Sequence, residues 1–423
     1  MKKTYVIKSL LKRCGVVAAV AGIVGCGGGG SSTRSATVIP PAVAAAVRSA
    51  GPVSPVLVTA NNGFGLQLLT QMRTTDTGKN VFISPTSVSI CFDIAYAGSA
   101  GTTQQAMATT LGLPASISNP SDLNNANAAL QASLISTDPA VQLTIANSFW
   151  YHKASSQILP SYVAMNTQYY GSQIGDLSGA PNNINAWVSA QTNGKITNVV
   201  GQGIQQVVAA IVNAVYFKGA WTTPFDSSLT TTGTFTLADG VTTVPASMMN
   251  QTSFIPYFKG DHFQTVKLAY GQGRDSMLVF LPDAGTSVDS LIAEITPANL
   301  TNWLTQYSAQ SVALSLPKFT STYSVNLKPV LTALGMGIAF NANLADFSNM
   351  GTALFLDSAT HTTYLSVNEA GTVAAAVTVI GVGATAAPAS PTAVNVNRPF
   401  VCAIVDGQTG EMLFIGAIDT PAQ

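Results

Sequence analysis

Charge is scarce in this chain. Asp, Glu, Lys and Arg make up 9% of its 423 residues, against about a quarter in ordinary soluble proteins. Lys and Arg are absent altogether between Lys79 and Lys153, which leaves that part without a basic patch and argues against a polyanion cofactor. Histidine is scarcer still. His152, His262 and His361 each stand alone, with no HExxH and no paired spacing, so a zinc site has no ligand set. There is no GxSxG turn to carry a hydrolase nucleophile. The GGGG of residues 27–30 precedes no Gly-Lys-Ser/Thr, and Gly194-Lys195 lacks the upstream glycine and following hydroxyl of a phosphate loop. Uninterrupted apolar runs of 18 residues do not occur after residue 25, so nothing there reads as a transmembrane helix. Each absence removes a class. The sequence points away from an enzyme, a metal centre and a cofactor.

What is present begins with an export pattern. MKKTYVIKSLLKRC supplies Lys2, Lys3, Lys8, Lys12 and Arg13, and GVVAAVAGIVG then runs apolar to Cys26. Ile23-Val24-Gly25-Cys26 resembles the lipobox of bacterial lipoproteins, in which Cys26 becomes the lipid-bearing first residue. The alternative is an ordinary signal peptide with an incidental cysteine. GGGGSS after Cys26 suits a flexible leash. The expected organisation is a signal peptide over 1–25, a Gly/Ser/Pro/Ala-rich linker over 26–55 and one folded domain over 56–423. The expected location is a bacterial membrane surface (outer membrane or cell surface) through a lipid anchor, and otherwise the extracellular space. Without residues 1–25, 13 basic residues face 18 acidic ones, a net charge near −5 that excludes nucleic acid as the natural partner. Cys91 and Cys402 remain, both in apolar surroundings, and read as buried free thiols rather than a disulfide.

Periodicity within the domain gives a mixture of elements. LVTANNGFGLQLLTQMR places Phe64, Leu68, Leu69 and Met72 on one helical face. SVSICFDIAYAGSAG and TTQQAMATTLGL predict two short helices, the first apolar enough to be buried. VQLTIANSFWY alternates as a strand, and VVAAIVNAVYFKG is a continuous apolar run fit for a central one. SMLVFLP, VALSLPKF and FVCAIVD add strands, and DSLIAEITPANLTNWLTQY and NLKPVLTALGM add helices. The fold class is α+β, with mostly antiparallel strands in one body.

One segment fits neither surface nor core. From Ala370 to Asn397 there is no charge, no aromatic ring, no Leu and no Met. Thr372 to Ala387 is also free of proline, and β-branched residues are dense over 372–380. Alternation puts Thr372, Ala374, Ala376, Thr378 and Ile380 on one face. Pro388 to Asn397 fits a low-complexity loop.

Several segments together carry a resemblance. NVFISPTSVSICFDIAYAGSAGTTQQAMATTLGL, NGKIT, VNAVYFKGAWTTPFD, SMLVFLP, SLPKF, ADFS, HTTYLSVNEAGTVAAA and RPFVCAIVD follow one another in the order of the serpin family. The chain resembles that family from about residue 60 to 420. The resemblance implies the serpin-like fold, with helices around a large mostly antiparallel sheet, smaller sheets and an exposed reactive loop. It implies that Ser84, Ser87, Asn213 and His361 form one hydrogen-bonded cluster behind the sheet, which controls its opening, and that Trp221 lies at the sheet's upper end. The plainer reading is separately satisfied polar groups and a core tryptophan.

By the same resemblance the uncharged segment is the reactive loop, first bait and then an inserted strand. Its hinge is Glu369, Gly371, Thr372, Ala374, Ala375 and Ala376, with Ala370 and Val373 where the family often has acidic residues. The cleaved residue falls about sixteen positions beyond Glu369, at the Thr385–Ala386 bond. Counting back from Arg398-Pro399-Phe400 gives a site nearer Pro388, so the bond is placed within Val382 to Ala387. Lys and Arg are missing from 370–397, as are the large side chains that chymotrypsin-like enzymes favour. The expected partner is therefore an elastase-like or subtilisin-like serine protease, with papain-like cysteine proteases as a further class. The expected protein is a monomeric inhibitor. Its alternatives are a non-inhibitory surface binding protein of the same fold and, further off, a surface hydrolase.

Overall fold

A computed structural model describes residues 51–135, 138–372 and 390–421. The first helix, Pro55–Arg73, opens on a proline, whose fixed φ and missing N–H suit the first turn. It buries Leu57, Phe64, Leu68, Leu69 and Met72. Its last residue, Arg73, is pinned by Asp289 at 2.7 Å and by Asp419 from the far end of the chain. The second helix, Pro85–Ala97, is capped by Ser84, whose side chain accepts from the Ser87 amide, and it is buried from Pro85 to Tyr96. A helix enclosed on every side has no solvent for its polar residues, and each of them needs a partner inside.

Strands form two large sheets and one two-stranded piece. The nine-stranded sheet runs Val81–Ile83, Met412–Ile418, Phe400–Asp406, Asp275–Pro282, Phe263–Ala269, Thr243–Lys259, Ser308–Pro317 and Thr392–Asn395, with Thr231–Thr236 branching from Thr243–Lys259. The six-stranded sheet, called the main sheet below, runs Phe319–Asn326, Ser358–Asn368, Gly371–Thr372, Ala209–Ala220, Val141–Tyr151 and Gln173–Asp176. One core joins the first two helices to both sheets. A second core lies on the other face of the main sheet. There the helix Asn182–Gln191 sets Ile184 and Val188 against Trp150, Ala210, Val212 and Ala214. This cover explains why Val141–Tyr151 alternates only in its first half and is buried throughout from Ala146 onward.

The low-complexity loop expected over Pro388 to Asn397 is not simply a loop in its described residues, 390–397. Thr392–Asn395 pairs in parallel with Ser308–Pro317, from Val312↔Thr392 to Ser315↔Asn395, and buries Val394 and Val396. A β-branched residue at every second position outweighs the flanking prolines here. Cys91 and Cys402 are buried free thiols, and burial pushes both above the usual thiol range. Among the described residues no helix is long and apolar enough to cross a membrane, and no group of three or more His, Cys, Asp and Glu is placed to hold a metal.

Candidate functional site

The main sheet is held together in its middle by an unusual pair. Ser358–Asn368 and Ala209–Ala220 run parallel, in register from Ser358↔Ala210 to Tyr364↔Tyr216. All their other partners in the sheet are antiparallel, and the sheet's other parallel pairing joins Gln173–Asp176 to Val141–Tyr151. Above Tyr216 and Tyr364 the two strands part, and Gly371–Thr372 enters between them. Gly371 faces Asn368 on one side and Ala220 on the other, and Thr372 faces Val367 and Gly219. The chain thus turns at Glu369-Ala370 and begins a new strand inside the sheet.

Several bonds hold this entry. The Trp221 amide donates to the Ala370 carbonyl (3.0 Å) and the Phe225 amide to that of Glu369 (2.9 Å). The Trp221 indole donates to the Asn368 carbonyl at 2.9 Å. The Glu369 carboxylate meets Lys318 at 3.0 Å and accepts from Thr230 at 2.9 Å. Partial burial works against its charge, but its own amide, Lys318 and Thr230 hold it below the usual carboxylate range. Gly371 sits at φ +147°, and a Cβ there would lie 2.2 Å from the Gly219 carbonyl oxygen, so no other residue fits. Thr372 is wholly buried, its hydroxyl 2.7 Å from that of Tyr270. Tyr270 in turn stacks on Trp221 with ring centres 4.4 Å apart.

Lower down, at the centre of the parallel pair, lies a closed polar cluster. Asn213 and His361 are register partners across that pair, and Asn147 is the partner of Asn213 on its other side. The Asn213 amide nitrogen lies 2.6 Å from the Ser87 hydroxyl, 3.2 Å from the Ser87 carbonyl and 2.5 Å from the Asn147 side-chain oxygen. His361 Nε2 accepts from the Ser84 amide at 3.1 Å, so the proton of the neutral ring is on Nδ1, which donates to Asn213 Oδ1 at 2.5 Å. Ser84, Ser87, Asn213 and His361 are therefore in one bonded set that ties the second helix to the two central strands. Asn147 belongs to the same set, although sequence reasoning passed over it. The signal was a pair of polar residues, Asn147 and Ser148, amid the buried half of VQLTIANSFWY. Tyr270 was also missed, since an aromatic at a strand end reads as core.

Burial drives His361 down to about 3 from its ordinary 6.5. Between those values the unfolded chain takes up a proton that the folded one refuses, so stability falls as the pH drops below 6.5. The loss attributable to His361 is expected at up to about 1.4 kcal/mol per pH unit. Denaturant titrations from pH 7 to 4 would measure it, and the acid limb should shrink in His361→Asn.

The other positions proposed from sequence, Cys26, Val373, Ala374, Ala375, Ala376 and the Val382–Ala387 window with its Thr385–Ala386 bond, lie outside the described residues.

A main sheet whose two central strands run parallel and then part to admit Gly371–Thr372 defines the class of fold. Residues 59–421 match the family model described as Serpin (serine protease inhibitor). The chain belongs to the serpin family. It is 32% identical to macrophage plasminogen activator inhibitor 2 of Mus musculus, over 86% of this chain and 99% of that protein. The native structure of tengpin, a thermophilic serpin, superposes with a TM-score of 0.81 at 26% identity, covering 88% of this chain and 96% of that one. Human thyroxine-binding globulin matches with a TM-score of 0.80 at 25% identity, over 88% and 100%. The same architecture thus occurs in a protease-inhibitor family and in a thyroxine-binding globulin.

Proposed function

We propose that this protein inhibits proteases as a suicide substrate, its loop being cut and then drawn into the main sheet. The observation that carries this reading is the seating of Gly371–Thr372 between strands that part above Tyr216 and Tyr364. Its register can be extended along the sheet. Each residue beyond Thr372 pairs one residue further down both neighbours, so Thr378 would come opposite Asn213 and His361. Gly381 would reach Ala210 and Ser358, where the parallel ladder ends. Val373 to Gly381 contains no charge and no proline, as a central strand requires. Roughly ten new ladder residues, at about 0.5–1.5 kcal/mol per hydrogen bond, release on the order of 10 kcal/mol. That matches the stability of a domain and suffices to distort a protease attached near Thr385. The uncut form is then held by kinetics rather than by free energy.

The target class follows from the sequence of the loop. Ala, Thr and Val near the Thr385–Ala386 bond suit a small specificity pocket, which favours elastase-like and subtilisin-like serine proteases. The export pattern and Cys26 support a location at a bacterial membrane surface on a lipid anchor. The likeness to thyroxine-binding globulin supports a second reading, a binding protein whose loop does not trap. Incubating residues 27–423 with pancreatic elastase distinguishes the two. A complex that survives denaturation, with release of a short C-terminal peptide, is the expected result. Cleavage with neither a complex nor a gain in thermal stability would overturn the inhibitor reading.

A further inference from the structure

The helix Pro85–Ala97 has a second buried polar face, separate from the one that carries Ser87. Thr86, Ser89 and Asp93 follow one another along it at helical spacing, all 2% exposed or less. Across from them stand Asn61 of the first helix, Asn127 of the helix Pro120–Leu134, and Glu411 just before the strand Met412–Ile418. Asp93 and Glu411 are 1% and 0% exposed. Neither has a salt-bridge partner among the described residues. The nearby guanidinium of Arg274 is held by Asp406 at 2.6 Å and by the Ser133 carbonyl.

The bonding of these carboxyls is lopsided. Asp93 Oδ2 accepts from the Asn127 amide at 2.9 Å, while Asp93 Oδ1 and Asn127 Oδ1 both lack a partner. Glu411 Oε1 accepts from Asn61 at 3.0 Å and Thr86 at 2.9 Å, while Oε2 has none, and the Ser89 hydroxyl is likewise unpartnered. Four of the five unpartnered buried side-chain atoms among the described residues belong to this face. Asp93 and Asn127 are planar forks already joined by one prong. A single proton on Asp93 Oδ1, donated to Asn127 Oδ1, would answer both empty acceptors at once and close an acid–amide pair. An ionised Asp93 would leave two bare acceptors beside a full charge with no cation to meet it.

We propose that Asp93 and Glu411 are held as neutral carboxylic acids in the folded protein, forming a proton-operated device on the helix that backs the main sheet. The groups in their field are acidic or neutral: Cys91 and Tyr96 on the same helix, Tyr170 beyond the helix Pro160–Tyr169, and Asp406 in the turn before Glu411. Burial raises Asp93 to about 7, and burial with the nearby charge of Asp406 raises Glu411 to about 8. The sign is opposite to that of His361. The folded state holds protons that the unfolded chain has given up from about pH 4 upward, so stability falls as the pH rises towards 8. Above 6.5, where His361 no longer contributes, this pair governs the slope.

Two measurements on the full chain test the device. Infrared spectra near pH 6.5 should contain the carbonyl band of protonated carboxylic acid, reduced in Asp93→Asn and in Glu411→Gln. The asparagine in the first variant keeps both prongs of the pair with Asn127, so folding is retained. Between pH 6.5 and 8 the wild-type unfolding constant is expected to rise on the order of 10–100-fold, at up to about tenfold per proton per pH unit. The double variant should be nearly flat over that range. If wild type lacks the band, or if the double variant keeps the wild-type slope, the two groups are ionised and the proposal is wrong. Should the double variant fail to fold, the infrared spectrum of wild type against Glu411→Gln decides alone.

Discussion

Thr372→Arg is expected to abolish the stable protease complex while leaving the loop cleavable. Thr372 carries the first side chain inside the sheet, enclosed between Val367 and Gly219 with its hydroxyl on Tyr270. An arginine there has to enter a wholly buried position against Tyr270, which is itself stacked on Trp221. Burying an unpaired guanidinium costs several kcal/mol, and the arginine avoids that cost by keeping the hinge out of the sheet. Since each 1.4 kcal/mol is tenfold in rate, insertion should slow on the order of 100-fold or more. The acyl-enzyme then hydrolyses before the strand enters. On a denaturing gel the complex disappears and cleaved inhibitor accumulates with turnover of active protease. Thr372→Ser, which keeps the hydroxyl on Tyr270, should behave almost as wild type. If the arginine variant still traps protease one to one, insertion does not begin at Thr372, and the register drawn from Gly371 is not the working one.

The elements that carry this argument were legible to different degrees. The strand Ala209–Ala220 is visible in sequence because a strand covered on both faces has to be apolar throughout. The helix Pro85–Ala97 is visible from its serine cap, its proline and its apolar girth. Asn213 stands out as a polar residue in an apolar run and His361 as an isolated histidine in a threonine-rich strand, but nothing local reveals that they face each other. Their pairing joins segments 148 residues apart, through a parallel ladder whose register is set by the whole sheet rather than by any turn. Asn147 was passed over because alternation along VQLTIANSFWY gave it an unremarkable place. It became significant only when the register with Asn213 set its side chain in the cluster beneath the helix Pro85–Ala97. The partly inserted Gly371 was visible as a glycine in a hinge, but its need for φ +147° and for contact with Gly219 is a tertiary fact. The acid face of Thr86, Ser89, Asp93 and Glu411 was hidden for a related reason. Polar residues at helical spacing ordinarily mark a solvated face, and here three other elements close over it.

Asn213→Ala is expected to be the most destabilising truncation within the main sheet. The amide joins Ser87 on the helix, Asn147 on one neighbouring strand and His361 on the other, and each of these is buried. Removing it leaves His361 Nδ1–H without an acceptor and the Asn147 oxygen without this donor, at about 1–3 kcal/mol for each unsatisfied group. A total loss of about 3–5 kcal/mol follows, large for a single substitution that removes little apolar volume. In urea the midpoint should fall with the slope unchanged, since the surface exposed on unfolding is the same. The direction of failure is equally specific. The Asn213–His361 bond crosses the two strands that would have to separate for a new strand to enter, so its loss should ease their separation as well as lower stability. The variant is therefore expected to lose inhibitory activity on storage faster than wild type, by inserting its own uncut loop. A variant at Ser324, which bonds Thr362 on the edge pair of the same sheet, controls for general weakening. If it loses activity as fast as Asn213→Ala at equal loss of stability, the cluster is ordinary cohesion. If only Asn213→Ala does so, the cluster is the latch between the two strands.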